Sequence, residues 1–241
     1  MASYMPPQHA PLEPLPPMMR GNPPTLISLN NSKKITDDML ILWRRILEKR
    51  PDAQLIIHVQ ESSMEDAIET IQPRLEKLDL PLDRILVSPA VPLEEFMERG
   101  ALADVALDTA PISGGTTTLH TLWMGLPIIT MSGDEAVSAS TAATLNAFKL
   151  NHWVAENADE YVDKVLALLE HPEQLAEHRA TIREKMLVSP MMDYGLRCTE
   201  LESSYRRMWF NYLLGEKRIL DAKVSCKEIA EHLMLIDLGR N

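Results

Sequence analysis

Cysteine, glycine and aromatic residues are all scarce in this sequence. Its 241 residues include two cysteines, Cys198 and Cys226, nine glycines and 5 % aromatics. Two cysteines are too few for a disulfide framework and lack metal-ligand spacing, which points to a reducing compartment. Basic residues are outnumbered as well: 24 Lys and Arg against 35 Asp and Glu leave a net charge of −11. A broad nucleic-acid or anionic-membrane surface needs clustered positive charge, so neither is expected. No run approaches the roughly 20 apolar residues of a membrane span. The opening "MASYMPPQHAPLEPLPPMM" has neither the basic start nor the apolar stretch of a signal peptide, so a cytoplasmic protein is expected.

What is present is enough apolar material, 45 %, for a sizeable core. Residues 1–24 hold eight of the seventeen prolines and read as an extended strap or linker. From Thr25 onward short apolar runs alternate with helical patterns: "TLISLN", "AQLIIHV", "DRILVSP", "DVALDT" and "LPIITM" read as strands. Between them, "TDDMLILWRRILEKR" reads as a helix capped by Thr36, "SSMEDAIETIQPRLEKL" as a helix interrupted by proline, and "PLEEFMERGAL" as a short helix. "TTTLHTLWMG" reads as a helix ending at Gly125, and "SASTAATLNAF" as another. Strands alternating with helices, without hairpin turns, predict βαβ units around a parallel sheet. The expected fold is α/β: a Rossmann-like parallel sheet sandwiched by helices over 25–156, followed by C-terminal helices over 157–218 packing on it. A further amphipathic helix is expected over 219–241, with Val224, Ile229, Leu233 and Ile236 as its apolar stripe.

In an open parallel sheet, ligands bind beyond the carboxyl ends of the strands. The loops after the first, third and fourth strands, "NNSKKIT", "PAVPLEE" and "APISGGTTTLH", should therefore share one rim. Gly114 and Gly115 would let the backbone approach a ligand closely. Thr116, Thr117 and Thr118 would open a helix whose free N–H groups favour an anion, and a diphosphate suits that place. The other reading of the loop is a tight turn with a threonine cap. Lys34 could reach the same phosphates, Lys33 should face solvent, and His120 lies one turn beyond Thr116. No Asp-x-Asp pair, metal cluster or nucleophile elbow appears, so no metal site is expected. The residues alone thus point to a Rossmann-like binder of a phosphorylated small molecule.

Three stretches carry something more specific: "SLNNSKKITDDMLILWRRILEKRPDAQLII", "RILVSPAVPLEEFMERGALADVALDTAPISGGTTTLHTLWMGLPIITMSG" and "SPMMDYGLRCTELESSYRRMW". Together they resemble the C-terminal half of O-GlcNAc transferase and SPINDLY-like glycosyltransferases, from about Pro6 to Arg218. The resemblance implies one Rossmann-like half of a GT-B enzyme that holds a nucleotide sugar such as UDP-GlcNAc, with no cofactor required. It implies that Lys34 is the phosphate-binding lysine that stabilises the leaving diphosphate, and that Asn31 is a donor-contacting amide. Thr116 and Thr117 match the threonines contacting the diphosphate, Val91 the backbone that reads uracil, and Arg99 a basic position nearby. Four positions depart from the pattern. His120 replaces an acidic residue at the ribose, Leu93 a donor-contacting lysine, Phe96 a histidine beside the base, and Gly115 a histidine.

The tetratricopeptide repeats and the N-terminal half with its acceptor-side groups lie outside the resemblance. Transfer to a protein Ser or Thr is therefore expected to need a separate N-terminal half, supplied by a partner protein or by a longer chain, with a homo-oligomer as the other possibility. The departures at His120 and Leu93 support an alternative, a non-catalytic scaffold subunit, and a different phosphorylated ligand is the third reading.

Overall fold

The computed structural model describes residues 4–213. Residues 4–189 form one compact unit, and the described residues from Pro190 to Leu213 belong to a second. In the first unit six parallel strands lie in the order β3-β2-β1-β4-β5-β6. They are β1 (Thr25–Ser28), β2 (Gln54–His58), β3 (Ile85–Ser88), β4 (Val105–Leu107), β5 (Ile128–Met131) and β6 (Val154–Ala155). The helices of this unit are α1 (Asp37–Lys49), α2 (Met64–Lys77), α3 (Leu93–Glu98), α4 (Thr116–Trp123), α5 (Ser140–Ala147), α6 (Ala158–Glu170) and α7 (Pro172–Leu187). The second unit contains a 3-10 turn over Pro190–Met192 and α8 (Tyr194–Leu213). The helix expected over 219–241 lies outside the described residues.

The sheet runs outward in both directions from the β1–β4 pair, registered Leu26 to Val105 and Ile27 to Ala106. Because both strands are covered on both faces, every residue of each is buried, which is why they read as continuous apolar runs rather than alternating ones. α1 buries Met39, Leu40, Leu42, Trp43, Ile46 and Leu47 along one stripe. Thr36 accepts from the Met39 N–H, as its position before two acidic residues predicts.

Two elements differ from the sequence reading. β6 has only two residues, paired from Thr130 to Val154 and from Met131 to Ala155, too short a run to announce itself. α2 continues through Pro73 instead of breaking there; burial of Ala67, Ile71 and Leu75 offsets the lost backbone bond.

The proline-rich segment lies against the core and contains one 3-10 turn, Pro17–Arg20. Arg179 of α7, fully buried, binds it: the guanidinium donates to the Glu13 carbonyl at 2.9 and 3.1 Å, to Gly100 at 2.7 Å and to Ala103 at 2.8 Å. Burial pushes this guanidinium down to about 10. Asp104, at the entry to β4, accepts from the backbone N–H groups of Met18 and Thr25 and so stitches the same segment to the sheet. At Gly125, with φ +79°, a Cβ would stand 2.4 Å from a Leu12 methyl and 3.0 Å from the Arg179 carbonyl, so this turn tolerates only glycine beneath the strap.

Candidate functional site

The strand order reverses between β1 and β4, and the loops leaving their carboxyl ends form the crevice that such a reversal creates. Its floor is Asp108. This buried carboxylate accepts from the Asn30 amide at 2.7 Å, from the Gly114 N–H at 2.9 Å and from the Thr130 hydroxyl at 2.6 Å. Burial pushes the Asp108 carboxyl up, and the donors from Thr130, Thr141, Asn30 and Gly114 pull it back. Three strands are thereby joined at one point. Asn30 Oδ1, also buried, has no hydrogen-bond partner among the described residues.

The loop from β4 to α4 is folded tightly over this floor. A Cβ on Gly114 would meet the Thr118 hydroxyl at 2.2 Å, and both Asn30 Oδ1 and the Thr141 hydroxyl at 3.2 Å, so glycine here serves close packing inside the protein. Thr118 turns inward and shares a 2.9 Å hydrogen bond with Thr141, which makes its hydroxyl a structural group rather than one offered to the rim. Gly115 and Thr116 are exposed and Thr117 is half-buried. A Cβ on Gly115 would meet nothing within 4 Å. α4 begins at Thr116 with no side chain capping it, which leaves its first N–H groups and the positive end of its dipole facing outward. Across the crevice, the half-buried Lys34 places Nζ 2.8 Å from the Ser113 carbonyl. Asn31, before it, caps its 3-10 turn by accepting from the Lys33 N–H and donates to Gln60. Lys33 is exposed.

The third loop supplies a ring-lined wall. Phe96 sits edge-on between His58, at 5.6 Å, and His120, at 6.1 Å between centroids. Arg99 lies beneath it, buried, donating to His58 Nδ1 at 2.5 Å and to the Pro89 carbonyl at 2.8 Å. Burial, and then the Arg99 charge, push His58 down to about 4, so its ring is neutral and accepts. Arg99 therefore braces the loop carrying the half-buried Val91 and does not itself reach the surface. Leu93 is exposed at this wall, and His120 is half-buried, its pKa lowered by burial. The crevice thus joins a cationic, N–H-rich end around Lys34, Gly115 and Thr116 to an aromatic end around Phe96 and His120.

The pattern of glycosyl transferase family 41 matches residues 25–201, nearly three quarters of the chain. The chain belongs to glycosyl transferase family 41. A probable SPINDLY UDP-N-acetylglucosamine–peptide N-acetylglucosaminyltransferase of Eustoma exaltatum subsp. russellianum is 35 % identical over 211 residues, 87 % of this chain and 23 % of the relative. A UDP-N-acetylglucosamine–peptide N-acetylglucosaminyltransferase of Caenorhabditis elegans is 31 % identical over 188 residues, 78 % of this chain and 16 % of the relative. The chain spans less than a quarter of the length of these curated relatives. Among solved structures, a mutant O-GlcNAc transferase of Thermobaculum terrenum superposes with a TM-score of 0.70 at 28 % identity, covering 85 % of this chain and 38 % of that one. A glycosyltransferase of Rickettsia africae, 13 % identical with a TM-score of 0.57, shares the fold.

Several members of the family 41 crevice were not singled out from the sequence. Asp108 closes an apolar strand and looks like any strand-ending polar residue; its three donors come from positions 30, 114 and 130. His58 and Thr141 carry no local signal either, since each finds its partner through the fold. No cluster of three or more metal-ligating side chains occurs among the described residues, and no described helix is long and apolar enough to cross a membrane.

Proposed function

We propose that this chain is the donor-binding half of a glycosyltransferase that takes a nucleotide sugar of the UDP-GlcNAc type and, with an N-terminal half, transfers the sugar to a protein hydroxyl. The observation that carries this reading is the facing of Lys34 and the uncapped start of α4 across the Asn30–Asp108 floor. As the bond between sugar and diphosphate breaks, negative charge grows on the leaving phosphate oxygen. A fixed ammonium and a helix N-terminus aimed at that charge stabilise it without a metal ion. Thr116 and Thr117 would donate to the same phosphates, Asn31 would reach them from the β1 side, and Val91, Phe96 and His120 would flank the nucleoside.

A second reading is favoured by two particular residues. A neutral histidine at position 120 grips ribose hydroxyls with fewer bonds than a carboxylate, and Leu93 offers no charge at all. These suit a subunit whose donor pocket has lapsed and which acts by assembly. The experiment that separates the readings combines the chain with its matching N-terminal half and assays transfer from UDP-GlcNAc and from a GDP-sugar to a peptide acceptor. Transfer that disappears in Lys34→Ala supports the enzyme; no transfer from any nucleotide sugar supports the scaffold.

A further inference from the structure

The proline-rich strap reaches the candidate site through one residue. Tyr4, 4 % exposed, places its phenol oxygen 2.8 Å from Nδ1 of His120, 116 positions away in the chain. Its ring packs edge-on against His120 at 5.5 Å and against Trp123 at 6.3 Å between centroids. The strap behind it is anchored. Arg183 of α7 donates to the Ala10 carbonyl at 2.6 Å and to the Trp123 carbonyl, with its guanidinium 4.9 Å from the Trp123 ring, while Arg179 holds Glu13. His120 also meets Phe96 edge-on, so the imidazole contacts two aromatic rings.

A neutral imidazole has one donor and one acceptor nitrogen, and the bond made by one nitrogen decides which of them carries the proton. Burial lowers the pKa of His120, which keeps it neutral near pH 7. A phenol is a strong donor: when Tyr4 O–H donates, Nδ1 accepts and the proton resides on Nε2. We infer that Tyr4 is a positioning residue for the donor site: by donating to Nδ1 it holds His120 as the Nε2–H tautomer and offers that N–H to a hydroxyl of the nucleotide sugar. Without the phenol hydroxyl both tautomers are populated, and only one of them keeps the Nε2–H in place for that hydroxyl. The strap is then part of the binding site, although it precedes the first strand of the sheet. This inference rests on the reading of the crevice as a nucleotide-sugar site.

The test uses the full chain with 15N-labelled histidine, in native form and as Tyr4→Phe, His120→Ala and the double variant. Nitrogen NMR reads the His120 tautomer, with His120→Ala identifying its signal, and calorimetry reads the affinity for UDP. The native chain should show the Nε2–H pattern and Tyr4→Phe a mixture. Tyr4→Phe should weaken UDP binding about fivefold, the order of one neutral hydrogen bond, and should add nothing once His120 is removed. The same tautomer in native and Tyr4→Phe chains, or an equal loss of affinity with and without His120, overturns the inference and makes Tyr4 a packing residue. Absence of UDP binding in the native chain would fail the donor-site reading separately, and the tautomer comparison would still decide the pair.

Discussion

Asn30 and Asp108 meet at the reversal point of the sheet, Nδ2 of one lying 2.7 Å from Oδ1 of the other, 78 positions apart. The bond closes β1 against β4 at the end where the loops diverge, and the same carboxylate takes the Gly114 N–H that shapes the loop before α4. Asp108→Asn replaces an acceptor by a donor facing groups that already donate. The expected cost is about 2–4 kcal/mol in a urea unfolding curve, the penalty of a buried polar group left unmatched. Asn30→Ala should cost less, about 1 kcal/mol, because Asp108 keeps two donors.

The two neighbouring glycines should part company. Gly114→Ala drives a methyl into the Thr118 hydroxyl and Asn30, so it should lower the midpoint of thermal unfolding and abolish ligand binding together. Gly115→Ala meets open space and should change stability by less than about 1 kcal/mol, with any loss appearing in affinity for UDP alone. Paired thermal melts and titrations check both.

Histidine 58 predicts a pH dependence. Its pKa is about 4 in the fold and ordinarily 6.5, so between those values the unfolded chain binds the proton that the native chain refuses. Its contribution is therefore fully present above pH 6.5 and is lost as pH falls toward 4, at most about 3 kcal/mol. His58→Asn, which keeps an acceptor for Arg99, should flatten that part of the stability curve. Unfolding free energies of both chains at pH 4.5 and 7.5 should differ less in the variant.

Arg179→Met removes a guanidinium that satisfies carbonyls of Glu13, Gly100 and Ala103 inside the protein. It should destabilise the unit by about 3 kcal/mol and expose the strap to cleavage after Arg20, read by limited proteolysis with trypsin. Cleavage at the native rate would show that the strap is held elsewhere.

How far the sequence foretold this follows from what each residue needs to know. Apolar runs such as "TLISLN" and "LPIITM" announce buried strands because their burial depends on local composition, and Thr36 announces a helix start because its partner is three residues away. The rim loops were legible too, since alternation of strand and helix fixes which loops share an edge. β6 was not, because two residues have no period. Nor was the inward turn of Thr118: three consecutive threonines look alike, and only the position of Thr141 on α5 decides which is buried. Arg99 shows the same limit, since the resemblance places it near the donor while the fold buries it against His58. Polar side chains whose partners lie dozens of positions away are decided by packing.

The most direct test of the donor site is calorimetric titration of the chain with UDP, UDP-GlcNAc and GDP, repeated on Lys34→Ala and His120→Asp. Saturable UDP binding in the native chain, lost at least tenfold in Lys34→Ala and strengthened in His120→Asp, is the predicted result. UDP binding that Lys34→Ala leaves unchanged, or no nucleotide binding in any of the three chains, would contradict it.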